Sequence, residues 1–418
     1  MNKKILTSFL MFLVVLTFST QAQVSSHSPY SRFGLGDINT SYSSYFNALG
    51  GGSSAIYSSK HINISNPATY TAFKPNSFIF STGADFTAVS INNESQSHVD
   101  NHTSFSHVLL GCRINDKVFA SMGMIPYSSI GYNLTDFNVP NNASLLYSGD
   151  GGISKVYLGA GFKLASNLSF GINASYLFGS LNRRKMLEFN DETIFNSRSN
   201  SQTNLKGIYY DLGALYTGKI EDDKLTFGFT TSNSAEINAK RSILTETFEY
   251  SGVNELVKDT SVNSIEKGFA LLPKYTQLGF TYNKDDKWLF VVDYLIQDWS
   301  EYSLFGESDS LQNSSRISSG LEYTPEYNSI SNFFQRCKYR LGISFNETPL
   351  NINNINIEDK SISFGIGIPV KKNNTTYDLS ITFGQRGTLS SNLIEEQYVK
   401  LSLNVSFDGI WFVERKYD

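Results

Sequence analysis

The chain has 418 residues and a formal net charge of −4, which argues against a nucleic-acid-binding surface because such surfaces are basic. Aromatic residues make up 14% of the chain and charged residues only 17%, with 31 glycines and 9 prolines, a composition typical of β structure. Beyond Phe18 no apolar run reaches the length of about 20 residues that a membrane-spanning helix needs. If the protein spans a membrane, it must therefore do so as a closed β-barrel.

Residues 1–23 are expected to be a signal peptide. Lys3 and Lys4 form the positive end, residues 5–18 form the apolar run, and residues 20–23 form a cleavage region of small and polar residues. The exported chain would begin near Val24. No cysteine follows the apolar run directly, so a lipoprotein anchor is not expected.

The stretch after residue 24 is predicted to be a compact plug, or hatch, over residues 24–75. Gly50, Gly51 and Gly52 allow positive φ angles and close backbone contacts. Asn66, Pro67 and Ala68 favour a turn or a helix start. The alternative for a glycine-rich stretch taken alone is an ordinary surface turn. The long series of strands that follows favours the plug.

Residues 76–408 show the alternation of a β-barrel wall. In the last predicted strand, for example, Leu401 and Leu403 alternate with Ser402 and Asn404, which sends the two sets to opposite faces. About fourteen such strands are predicted: 76–89, 104–114, 118–127, 153–165, 168–179, 203–219, 224–234, 269–283, 287–299, 315–324, 335–346, 360–370, 375–386 and 397–408. A soluble sandwich would give the same alternation, with the apolar face as its core.

The lengths of the connections favour a membrane barrel over a sandwich. Short turns at 115–117, 166–167, 221–223, 284–286 and 371–374 alternate with long links at 128–152, 180–202, 235–268 and 300–314. The link 325–334 is an exception on the short side. Outer-membrane barrels have short periplasmic turns and long extracellular loops. We therefore predict a Gram-negative outer-membrane protein with both termini in the periplasm and a periplasmic tail at 409–418.

No catalytic or metal-binding motif stands out, so an enzyme, a cofactor and a metal are not expected. His98, Asp100, His102 and His107 are interpreted as solvated residues of the first extracellular loop rather than as a metal site. Cys112 and Cys337 lie far apart, and we expect free thiols or wall residues rather than a disulfide. Asp211, Asp293 and Asp378 alternate onto the lumen face, where pairing with cations would let them hold the hatch.

Four features together resemble the FadL family of outer-membrane transporters for hydrophobic compounds, in the divergent form found in Bacteroidetes. They are the glycine-rich segment before Asn66-Pro67-Ala68, the fourteen strands, the run from Trp288 through Asp293 and Tyr294 to Trp299-Ser300, and the closing stretch from Tyr398 to Trp411-Phe412. The resemblance implies a hatch-closed barrel that takes a hydrophobic ligand through its loops into a lumen pocket. Hatch movement would then release the ligand sideways at a kinked third strand.

Gly123 and Pro126 are the residues suited to that kink, because proline cannot donate a ladder hydrogen bond. The alternative is that Pro126 lies above the bilayer and only ends the strand. The candidate pocket comprises Ile56, Tyr57, Ile62, Ile64 and Phe73 of the hatch with Leu289, Val291 and Leu295 of the wall. The alternative for each is simple packing of the hatch against the wall, and the many Ser, Asn and Gly residues facing the lumen depart from an oil-binding tunnel.

Two functions follow. The first is uptake of a fatty-acid-like or hydrocarbon-like small molecule by hatch movement and lateral release, with outer-membrane lipid around the barrel. The second is a non-transport accessory subunit of a secretion or outer-membrane assembly complex, as in PorV-like proteins, with a protein partner bound through the extracellular loops. A lumen packed with polar side chains would favour the second function.

Overall fold

The computed structural model describes residues 28–410, except residues 141, 192, 253, 328, 330, 331 and 371–373. The predicted signal peptide and residues 411–418 of the predicted tail lie outside this range. Among the described residues, no helix combines the length and the apolar character needed to cross a membrane.

Within the described part of the chain, fourteen wall strands form one closed antiparallel barrel, which confirms the predicted fold class. A two-residue strand, β1 (Asp37–Ile38), precedes them. The wall consists of β2 (Ser77–Asn92), β3 (Ser97–Arg113), β4 (Val118–Val139), β5 (Ala143–Lys163), β6 (Leu168–Phe189), β7 (Asn196–Ile220), β8 (Asp223–Ser232) continued by β9 (Ala235–Ser251), β10 (Asn254–Leu272) continued by β11 (Tyr275–Lys284), β12 (Trp288–Gln297), β14 (Ser314–Tyr323), β15 (Lys338–Ile352), β16 (Ile355–Val370), β17 (Thr375–Gly387) and β18 (Glu395–Ile410). Strand β13 (Ser303–Leu304) is a two-residue addition in the loop after β12. The barrel closes where β18 pairs with β2, from Glu395 opposite Asn92 to Ile410 opposite Ser77.

The apolar and polar side chains of the wall strands alternate between the outside and the inside of the barrel, as predicted. Leu379 and Leu401 are exposed on the outside of the wall, whereas Asp378 and Asn404 are fully buried on the inside. An apolar outer band with a polar interior is the arrangement of an outer-membrane barrel.

The prediction that three of the long links are loops is wrong. Residues 128–152, 180–202 and 235–268 are mostly strand, because β4–β5, β6–β7 and β9–β10 continue as hairpins beyond the rest of the wall. Strands β4 to β7 have 21 to 25 residues, whereas β12 and β14 have 10 each. The barrel thus has a short-turn end, where β2 begins and β18 ends, and an opposite tall end that is raised on one side.

Residues 28–76, called here the N-terminal segment, lie inside the wall. They contain a 3-10 helix at Pro29–Arg32, a helical turn at Ser44–Asn47 and a second 3-10 helix at Pro67–Ala72. The second 3-10 helix packs against β5, β6 and β7, and the helical turn packs against β16, β17 and β18. Leu49, Ala55 and Tyr70 have no exposed surface, so this segment forms the core of the barrel. Three further short helices lie in loops, at Trp299–Glu301, Phe333–Arg336 and Ser390–Asn392.

Candidate functional site

The glycine motif forms a turn pressed against the wall. Gly50 and Gly51 have φ angles of 71° and 83°, in the left-handed region that favours glycine. A Cβ atom on Gly50 would lie 2.4 Å from the carbonyl oxygen of Ile343 on β15. This position therefore needs glycine both for its conformation and for its close contact with the wall.

Asn66 connects the second half of the N-terminal segment to the wall. Its Oδ1 accepts a hydrogen bond from the backbone N–H of Ala68 at 3.0 Å and so caps the 3-10 helix that Pro67 begins. Its Nδ2 donates to the carbonyl oxygen of Ser54 at 2.7 Å and to that of Ala214 on β7 at 3.1 Å. One fully buried amide thus joins two parts of the segment and one strand of the wall.

The wall meets the segment with a band of glycines that sequence reasoning missed. A Cβ on Gly213 would lie 2.1 Å from Oδ1 of Asn66, and one on Gly228 would lie 2.2 Å from the carbonyl oxygen of Ser54. We call the whole set the glycine belt: Gly159, Gly161, Gly171, Gly213, Gly228, Gly279, Gly320, Gly342 and Gly365. Glycines at inward positions of strands indicate close backbone approach, and that signal was present in the sequence.

Buried charges add specific links between the segment and the wall. His61 contacts Asp378 on β17 through its Nε2 at 2.9 Å, and Arg340 donates to the same carboxylate at 2.7 Å. Arg340 also donates to Glu322 at 2.7 Å. The backbone N–H of Ser54 donates to Asp293 on β12 at 3.1 Å. Asp293 and Asp378 therefore face the lumen and bind the segment, as the alternation predicts.

A second ion-pair cluster lies towards the tall end. Arg386 on β17 pairs with Asp37 of the segment at 2.9 Å and with Glu396 on β18. Ser28 donates to Glu396, and Tyr30 donates to the carbonyl oxygen of Ile394. Burial, with the negative charge of Glu396 as a second cause, raises the pKa of Tyr30 to about 12. The hydroxyl is thus a neutral donor at physiological pH.

The predicted pocket residues occupy three different places. Ile62, Ile64 and Phe73 pack in a cluster with Tyr70 and the wall residue Leu109. Ile56 packs in a second cluster with Val291, and Leu289 packs against this cluster. Tyr57 lies with Ile56 and Leu289 at a cavity of about 980 Å³ at the short-turn end, and its hydroxyl donates to the carbonyl oxygen of Thr71 at 2.8 Å. Leu295 and Ile64 line a cavity of only about 60 Å³. Their assignment to one ligand pocket stays a prediction.

The third wall strand departs from regular pairing near the predicted kink. β3 and β4 pair from Arg113 opposite Phe119 to Val108 opposite Met124, and Gly123 lies within this paired stretch. Beyond Met124 the register of β4 with β5 shifts between Pro126 and Ser128, and β1 pairs with β4 at Ser128 and Ser129. We call this separation of β3 from β4 the wall gap.

A cavity of about 610 Å³ lies behind the wall gap, and Met124 and Pro126 are among its lining residues. Its charged lining residues are Asp37, Asp85, Asp359, Glu396, Arg316, Arg386 and Lys400. Several of these charges pair with one another, for example Lys400 with Asp85 at 3.1 Å. A lumen lined in this way suits a polar or charged molecule better than an oil.

A model of the BamG family matches residues 1–418. The chain belongs to the BamG family. No curated protein matches this sequence. Among solved structures, the BamG-family chain is similar to the Pseudomonas putida toluene transporter TodX, with 15% identity over 90% of this chain and 100% of that chain and a TM-score of 0.61.

Two further structures give the same result. The CymD monoaromatic hydrocarbon channel has 13% identity over 90% of this chain and 99% of that chain, with a TM-score of 0.57. A Pseudomonas aeruginosa FadL homologue has 10% identity over 90% of this chain and 100% of that chain, with a TM-score of 0.60. The resemblance to the FadL homologue and to these transporters and channels is therefore one of fold.

In this BamG-family chain, Cys112 and Cys337 are both free, and Cys337 is buried. His98, His102 and His107 lie on strand β3, which shows that their predicted placement in a loop is wrong. His107 is fully buried, and its Nε2 lies 2.9 Å from the hydroxyl of Ser81. Across the described residues, no group of three or more His, Cys, Asp or Glu side chains is placed to hold a metal ion.

Proposed function

We propose that this protein is a non-transport accessory subunit of a secretion or outer-membrane assembly complex, and that its barrel is the membrane anchor. The observation that carries the proposal is the seating of the N-terminal segment. The segment rests on the glycine belt and is held by Asp293 and Asp378 through buried polar contacts, and by Arg386 through a partly buried ion pair with Asp37. Residues 24–75 would then be a fixed plug rather than a moving hatch.

Moving the plug would break several buried contacts at once. The loss of one partner from a buried hydrogen bond costs about 1–3 kcal/mol, and the cost is larger when a charge is left behind. A plug that opens and closes repeatedly would have to break all of these contacts at each opening, so a plug with many of them is poorly suited to act as a gate. The channels named above share only 10–15% identity with this chain, so the common fold does not by itself extend their transport function to it.

The tall end supplies a surface for a protein partner. One edge of β10 pairs with β9 along its length. The other edge pairs with β13 from Ala270 onward, and before Ala270 it has no paired strand among the described residues. Register shifts between Val257 and Asp259 and between Thr260 and Val262 interrupt the free edge. The regular stretch from Val262 to Gly268 is long enough to add a strand of a partner, since an open strand edge presents unpaired backbone groups.

We propose that the tall end faces outward from the cell and that both termini lie in the periplasm. Short turns at the opposite end support this orientation, since outer-membrane barrels place their short turns in the periplasm. The exposed side chains of Leu256, Val257, Ile265 and Phe269 on β10 would then be available to an extracellular partner rather than to lipid.

Uptake of a hydrophobic small molecule is the second candidate. The wall gap beside Pro126 favours it, because a separated strand pair is a route between the lumen and the bilayer. The charged lining of the cavity behind the gap weighs against it. Lateral release through Gly123 and Pro126 and a ligand pocket at Ile64 and Leu295 belong to this second candidate.

Native mass spectrometry of the protein, extracted gently from its own outer membrane, separates the two functions. The accessory role predicts a stoichiometric protein partner and an empty barrel. Uptake predicts a retained fatty acid or hydrocarbon that is lost when Ile64 or Leu295 is changed to Asp. An outcome with retained lipid and no partner would reject the accessory role.

A further inference from the structure

A second polar cavity, of about 440 Å³, lies at the tall end between the N-terminal segment and the raised wall. Its lining includes the cations Arg32, Arg183 and Lys185. The accessory role does not explain this cluster, and the wall gap is lined by other residues.

The strand register brings these cations together. Arg183 and Lys185 are two residues apart on β6 and so share one face, opposite Gly149 and Tyr147 of β5. Arg32 ends the first 3-10 helix of the N-terminal segment, and its guanidinium lies 4.2 Å from the centre of the Tyr147 ring. Arg183 donates to the carbonyl oxygen of Gly34 at 2.7 Å, which fixes its position against the segment.

These cations are not neutralised by ion pairs. Two other cations of the lining are paired, Arg184 with Glu255 and Arg241 with Glu266, but the ion pairs of the described residues include none for Arg32, Arg183 or Lys185. Two acids, Glu307 and Asp309, also line the cavity, and Asp309 already accepts a hydrogen bond from the backbone N–H of Gly34. The three cations without an ion pair outnumber these two acids, so the lining is net positive.

Two buried donors at the cavity have no hydrogen-bond partner among the described residues. The hydroxyl of Tyr302 belongs to a side chain that is 2% exposed and makes no hydrogen bond, and Nε of Arg183 is also buried without one. A buried polar group without a partner is costly, and structures usually supply one from protein, water or ligand. Tyr302 and Arg183 both line this cavity, so a bound oxyanion could accept from both.

We propose that this cavity binds a phosphorylated saccharide, with the phosphate at Arg183 and Tyr302 and with Arg32 and Lys185 around it. Arginine forks match phosphate geometry and give strong charge-assisted hydrogen bonds. A volume of about 440 Å³ is within the usual range of small-molecule sites, so a sugar ring fits beside the phosphate. The ligand is either a free sugar phosphate or the phosphorylated sugar of a surface glycolipid.

Isothermal titration calorimetry on the full chain in detergent tests the site, with glucose 1-phosphate, glucose and inorganic phosphate as probes. We expect glucose 1-phosphate to bind more tightly than either of the other two and to bind more weakly as salt is added, since salt screens the charges. Arg183→Gln combined with Lys185→Gln should weaken binding by about tenfold or more.

The matched control removes two cations from the outside of the same wall. Lys240 and Lys267 are exposed and lie opposite each other on β9 and β10, next to the pair Arg241 and Glu266. Lys240→Gln combined with Lys267→Gln should leave the affinity unchanged. Tyr302→Phe keeps the ring and removes only the hydroxyl, so it should weaken sugar-phosphate binding several-fold in a chain that still folds.

A further titration separates the two sources. Lipopolysaccharide that binds more tightly than its dephosphorylated form, and loses this difference in the Arg183 and Lys185 variant, would make the ligand a surface glycolipid. Binding of glucose 1-phosphate alone would make it a free sugar phosphate. Three results would overturn the proposal. They are no binding of glucose 1-phosphate or lipopolysaccharide, equal affinity for inorganic phosphate and glucose 1-phosphate, and an equal loss of affinity in the control variant with Lys240 and Lys267 replaced. These outcomes do not depend on whether a protein partner exists.

Discussion

Asn66 is one of the residues on which the seating of the proposed plug depends. Its amide donates to the carbonyl oxygens of Ser54 and Ala214 and accepts from Ala68 within a fully buried site. Asn66→Asp keeps the shape and the acceptor but replaces both N–H donors with a carboxylate oxygen that faces two carbonyl oxygens. We expect this change to destabilise the seated plug by about 2–5 kcal/mol.

The measurement is limited proteolysis of the folded protein in detergent, followed by mass spectrometry of the fragments. Cleavage within residues 28–76 should become faster in Asn66→Asp, while the barrel stays resistant. Asn167→Asp is the control, because Asn167 is exposed in the turn between β5 and β6. Equal cleavage rates in the two variants would show that the amide of Asn66 does not hold the plug.

At the scale of elements, the plug and the wall act as one body if the proposed function is right. Ser44 of the helical turn lies 3.3 Å, Oγ to Oγ, from Ser380 of β17, so cysteines at these two positions are close enough to form a disulfide without large movement. In a chain with Cys112 and Cys337 changed to Ala, we expect the oxidised Ser44→Cys, Ser380→Cys variant to bind its partner as the reduced form does.

A moving hatch gives the opposite result. If the plug has to shift for uptake, oxidation should stop the entry of a radiolabelled aromatic hydrocarbon into cells that make the variant, and dithiothreitol should restore it. A single-cysteine variant, Ser44→Cys alone, controls for effects of the substitution and of the oxidant. Uptake that responds to the disulfide in this way would make transport the function.

The same elements show what sequence reasoning could reach. Alternation predicted the strands of the membrane band, because lipid on one side and the lumen on the other impose a period of two. It missed the upper part of β10, because Asn254 to Glu266 are exposed on both faces and water on both sides imposes no period. The inward glycines of the belt were visible in the sequence, but the backbone atoms that they contact are distant in sequence, and so is the pairing of Ser54 with Asp293, so no local pattern identifies these partners.

At the scale of the whole molecule, the raised side of the wall is the feature that a membrane anchor alone does not need. Arg241 and Glu266 are opposite each other on β9 and β10 and pair through their side chains, so the hairpin can be shortened there. Replacing residues 242–265 by Asn-Gly gives a two-residue turn that suits a hairpin. The barrel below this point keeps all its wall contacts, and we expect it to fold and insert normally.

The shortened chain should lose its protein partner. Removing the central contacts of an interface commonly costs at least about 1.4 kcal/mol, or a tenfold change in affinity, and here most of the free edge of β10 disappears. Native mass spectrometry of the extracted protein measures the partner, and the heat-dependent shift on a denaturing gel checks the barrel. The matched control shortens the β4–β5 hairpin instead, with Asn-Gly in place of residues 136–145 between the paired residues Thr135 and Leu146. If the partner stays bound to the variant with the shortened β9–β10 hairpin, its binding site lies elsewhere on the protein. If the partner is lost only from the variant with the shortened β4–β5 hairpin, its binding site lies on the β4–β5 side of the tall end.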